Sequence, residues 1–96
     1  MAGIPAYLRK SGSTPSFQQR LNFRERLHHA LRNAGYRPNE NTLLARDFNA
    51  LHGGTPVGVA SVHRWLSGDA IPSDDNLATL ARLLDVSPAF LRGEPL

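Results

Sequence analysis

Four histidines, ten arginines among eleven cations and one glycine-rich stretch are the parts of this 96-residue chain that could carry chemistry. His28, His29, His52 and His63 have no cysteine to share a metal with. On a helix the adjacent His28 and His29 point about 100° apart, which suits no common two-ligand zinc spacing, so neither a metal nor another cofactor is expected. Gly53-Gly54-Thr55-Pro56-Val57-Gly58 has the outline of a phosphate-binding loop. It follows a helical pattern rather than a strand and has no lysine after its last glycine, so nucleotide binding is set aside. Serine, histidine and aspartate are present without a nucleophile-elbow motif, and no enzymatic role is expected. The lack of cysteine also excludes a disulfide scaffold, an iron–sulfur site and thiol catalysis.

What remains is anion recognition by arginine, whose guanidinium forks onto phosphate and guanine edges better than an ammonium does. Residues 1–50 carry eight basic against three acidic side chains, and residues 51–96 carry three against five. The N-terminal half is therefore the anion-facing half, and nucleic acid is the partner it suggests. Solvated helix arginines without any partner would give the same count.

These residues must be positioned by one small domain, because 96 residues with 41% apolar content support a single modest core. No apolar run approaches the roughly 20 residues of a membrane span, and Arg9 and Lys10 follow no signal-peptide segment, so a cytoplasmic protein off the membrane is expected. Residues 1–15 show no helical or strand period and read as a flexible arm, leaving residues 16–96 as the domain. Phe23, Leu27, Ala30, Leu31 and Ala34 give an amphipathic helix that ends at Gly35. Ser16 to Gln19 and Asn22 to Glu25 both have capping-box spacing; Asn22 is the preferred start. A second helix runs from Asn41 to Leu51 on a stripe of Leu43, Leu44, Phe48 and Leu51, and stops at Gly53-Gly54. Val57, Val62, Trp65 and Leu66 set a short third helix ending at Gly68, with Trp65 in the core. Ser73 caps a fourth, with Asp74 and Asp75 in its first turn, Arg82 in its last, and a core face of Leu77, Leu80, Ala81 and Leu84. Ser87-Pro88 opens a fifth that closes at Gly93.

The fold class expected is thus all-α. Two consecutive short helices joined by a glycine-containing turn are the footprint of a helix-turn-helix. Val57, Val62, Trp65, Gly68 and Pro72, followed by Leu77, Leu80, Ala81 and Leu84, resemble the pattern of the phage lambda repressor/Cro-like (Xre-type) helix-turn-helix family, and Val86-Ser87 with Phe90-Leu91 resembles its closing segment. The resemblance implies a compact five-helix, lambda-repressor-like DNA-binding domain. Two departures stand out. Arg46 to Pro56 makes a longer connection than the family's, and the reading face consists of Gly58, Val59, Ala60, Ser61, His63, Arg64 and Ser67 where the family displays glutamine, asparagine and arginine.

On that face Val59 and Ala60 can meet thymine methyl groups, Ser61 can donate or accept, and Arg64 can fork onto guanine or hold a phosphate. Helix starts near Asn41 and Gly58 offer unpaired N–H groups to phosphate, with Asn41, Thr42, Arg46 and Thr55 beside them and Arg9 and Lys10 on the arm. The expectation is a sequence-specific double-stranded-DNA-binding transcriptional regulator, a repressor, acting as a homodimer through Phe90, Leu91, Pro95 and Leu96. Its rival is a protein–protein adaptor or antitoxin-like partner that keeps the fold and binds a polypeptide on the small apolar face. An architectural DNA binder without sequence preference is a third possibility.

Overall fold

Helix α1, Phe17–Asn33, starts at Ser16 rather than at Asn22. Both arms of the Ser16 capping box are made: the Gln19 N–H donates to Ser16 Oγ at 3.1 Å, and the Ser16 N–H donates to Gln19 Oε1 at 2.7 Å. Asn22, already inside the helix, instead accepts from Gln18 Nε2 at 3.0 Å through its side chain. At the other end Gly35 takes φ 91°, and the Tyr36 and Gly35 N–H groups donate back to the Leu31 and Arg32 carbonyls at 2.9 and 3.1 Å. This satisfies carbonyls that the end of a helix would otherwise orphan.

This computed structural model describes residues 16–93, so the proposed arm, with Arg9 and Lys10, and the tail residues Pro95 and Leu96 lie outside the described residues. Four helices follow α1: α2 (Asn41–Leu51), α3 (Val59–Ser67), α4 (Asp74–Leu84) and α5 (Pro88–Arg92). Ser73 and Ser87 cap α4 and α5 by accepting from the N–H groups of Asn76 and Phe90 at 3.3 and 3.0 Å. Among the described residues the architecture is all-α with five helices, as expected from the sequence.

The helices close around one core in which α1 packs on α3 and α5, α2 on α3 and α4, and α4 on α5. Phe23, Leu27, Phe48, Val62, Leu80 and Leu91 are fully buried there, and Trp65 retains 4% exposure. Phe48 and Trp65 meet as a tilted aromatic pair, centroids 5.5 Å apart, which joins α2 to α3. The buried stripe of α2 is Leu44, Ala45 and Phe48; Leu51, assigned to that stripe from spacing, is 36% exposed at the helix end. No helix among the described residues is long and apolar enough to cross a membrane.

Candidate nucleic-acid interface

Helices α2 and α3 are joined by residues 52–58, and the far end of that connection is pinned by one side chain. Asn49 Nδ2 donates to the Val57 carbonyl at 2.8 Å, while its Oδ1 accepts from the Val57 N–H at 2.9 Å. The amide so replaces a backbone partner at the residue just before the cap of α3 and sets where that helix begins. His52, closing α2, stacks on Phe48 at 4.9 Å and hydrogen-bonds through Nδ1 with the buried Thr79 hydroxyl at 2.6 Å, holding the same connection against α4. His28 Nε2 donates to the Leu66 carbonyl at 2.8 Å, tying the other end of α3 to α1. Reading the histidines only as metal ligands missed both roles.

The serine-capped helices are α1, α4 and α5; Glu40 and Gly58, the caps of α2 and α3, supply no side-chain bond to their helices. The Glu40 carboxylate is engaged by the Arg37 N–H at 2.8 Å instead. Backbone donors at both starts therefore remain available, as a helix needs to face an anion. The two starts lie at opposite ends of the pair. Glu40 and Leu44 line a cleft with Leu66 near the end of α3, whereas the start of α3 is held by Asn49 near the end of α2.

On α3, Val59, Ala60, His63 and Arg64 are exposed, Ser61 is half-buried, and Val62 and Trp65 point inward. Arg64 has no ion pair among the described residues, and no carboxylate occurs between Val59 and Ser67. Arg46 is different. Its guanidinium bonds Asp47 Oδ1 at 3.0 Å, and the other carboxylate oxygen accepts from the Tyr36 hydroxyl at 2.6 Å. These bonds, Tyr36 first and Arg46 second, hold the Asp47 carboxyl below its ordinary value, and burial together with Asp47 pushes the Tyr36 phenol up to about 12. Arg46 is thus already paired with a carboxylate of the protein, so its pull on an external anion is weakened. Thr42 is exposed and Asn41 half-buried at the start of α2. Thr55 is set apart from the others, in a shallow cleft with His52, Ser73, Asp75 and Asn76, where the nearest charge is negative.

A helix-turn-helix family model matches residues 51–91. The match takes in the connection, α3, α4 and α5 as far as Leu91 and only the last residue of α2, while the rest of α2 and all of α1 lie before it. No curated protein and no solved structure matches the chain. The surface assigned to self-association is altered by the fold. Leu91 is fully buried, and Phe90 packs against α1 with the Arg26 guanidinium 5.2 Å from its ring centroid and His29 6.3 Å away. Arg26 is accordingly part of the α1–α5 contact rather than of a solvated face.

Proposed function

We propose that this chain is a sequence-specific double-stranded-DNA-binding transcriptional regulator of the lambda repressor/Cro-like (Xre-type) kind, acting in the cytoplasm on the nucleoid. The observation that carries the reading is a helix-turn-helix match over residues 51–91, within which the start of α3 carries no side-chain cap. In the proposed complex α3 lies in the major groove with its first turn toward the bases, and the starts of α2 and α3 contact phosphate. Regulation is by occupancy of an operator, with repression the simplest outcome, and a homodimer would set two copies of α3 about one DNA turn apart.

Selection of the purified chain against a random duplex library at near-physiological salt tests the reading. An enriched inverted repeat is the expected result; recovery without enrichment refutes sequence-specific recognition. The exposed Val59 favours one second reading, a polypeptide partner seated on the small face of α3. A largely apolar protein contact changes little with salt, whereas DNA affinity falls steeply through counterion release.

A further inference from the structure

The first turn of α3 exposes apolar side chains where base-reading chemistry would ordinarily call for amides. Val59 is 43% exposed and Ala60 is exposed beside it. Valine is a mediocre helix former, so helix stability gives no reason for it at an open position. Gly58 precedes them, and a Cβ built there would meet nothing within 4 Å, which leaves the backbone room to approach a surface closely. Arg64 follows one turn after Ala60 and is without an ion pair among the described residues, so a cation accompanies the apolar turn. Among the base-pair edges of the major groove the apolar feature is the C5-methyl group of a pyrimidine: thymine, or cytosine methylated at C5.

We propose that Val59 and Ala60 read C5-methyl groups of pyrimidines in the major groove, making methylation at that carbon a determinant of which DNA this chain selects. The inference rests on the DNA-binding reading above. It explains why short, apolar side chains occupy this turn: a methyl group offers no hydrogen bond, and Val59 and Ala60 seek none. Contact of this kind depends on area removed from water, so removing one methyl should weaken binding by about fourfold.

The test uses duplexes selected from a random library by the full chain at about 150 mM monovalent salt. In the selected site each thymine is replaced in turn by uracil, which lacks only the methyl. At one or two positions per half-site the affinity should fall by about fourfold. Val59→Ala should reduce that difference to under about twofold at one of them, with its melting temperature unchanged. A second arm replaces the sensitive thymine by cytosine, with and without a C5-methyl group: recovery on methylation extends the contact to 5-methylcytosine, and no recovery confines it to thymine. Indifference to uracil at every position overturns the inference while leaving DNA binding intact. So does a uracil penalty that is unchanged in both Val59→Ala and Ala60→Gly. Failure to enrich any sequence overturns the DNA reading itself, and the inference with it.

Discussion

Asn49 gives up its side-chain amide entirely to the Val57 backbone, so truncating it strands a donor and an acceptor together. Asn49→Ala should cost about 1–3 kcal/mol in a denaturant or thermal melt. Asn49→Asp keeps the acceptor for the Val57 N–H but sets a carboxylate oxygen against the Val57 carbonyl in place of the donor, and should lower the melting temperature as well. The Tyr36–Asp47 pair predicts a pH response. For Tyr36 the folded pKa, about 12, exceeds the unfolded value near 10, so the folded state holds the proton longer. Its contribution is complete below about pH 10 and is lost as the pH rises toward 12. Of the two tyrosines in the chain, one should ionise late when phenolate absorbance is followed in the folded protein. In Tyr36→Phe that late step, and the alkaline fall in melting temperature belonging to it, should be missing. Asp47 acts at the opposite end of the scale. Its folded pKa is lowered, so its contribution is present above the ordinary aspartate value and disappears as the pH falls through the depressed one.

At the scale of helices, most boundaries are decided by chemistry within four residues. Asp85 ends α4 at φ 57°, a left-handed position where a side chain is strained, and no hydrogen bond of its carboxylate compensates among those described. Asp85→Gly should therefore raise stability by about 1 kcal/mol in a thermal melt. Trp65→Ala, by contrast, empties the α2–α3 contact and should cost about 3–5 kcal/mol before any effect on binding is considered. The stops at Gly35, Gly68 and Gly93 and the starts at Ser73 and Ser87 were legible because a cap depends on its immediate neighbours. The start of α1 was not decided that way, since two capping boxes of equal local merit lay six residues apart. Tertiary packing favours the earlier one: the added turns bring the Arg20 carbonyl alongside Gly68 at the end of α3. Leu51 was misassigned for a related reason, because spacing continues a stripe past the point where the core ends. Asn49–Val57, His28–Leu66 and His52–Thr79 were beyond reach, as each pairs elements whose adjacency exists only once the chain has folded.

For the molecule as a whole, charge divides by position and by whether it is already answered. Arg64 lacks an ion pair among the described residues and Arg46 has Asp47, so their substitution should separate in salt titrations of DNA binding. Arg64→Ala should lower the salt slope by about one if the guanidinium holds phosphate. If it reads a base, it should cost about 1–3 kcal/mol at one position of the site instead. Arg46→Ala should change the slope less than Arg64→Ala, because a guanidinium already bonded to Asp47 contributes less to neutralising phosphate. The closing helix offers less surface for a second copy than its sequence suggested, Leu91 being interior and Phe90 covered in part by Arg26.

The Asn49 clamp also bears on how such a chain can change over generations. Because Val57 is held from α2 directly, the start of α3 does not depend on Gly53, which has open space around it. Insertions there cost only a slowly growing loop entropy. Two extra glycines after Gly53 should leave both melting temperature and selected DNA site unaltered, so loop length here can drift in descendants while the operator they recognise stays the same.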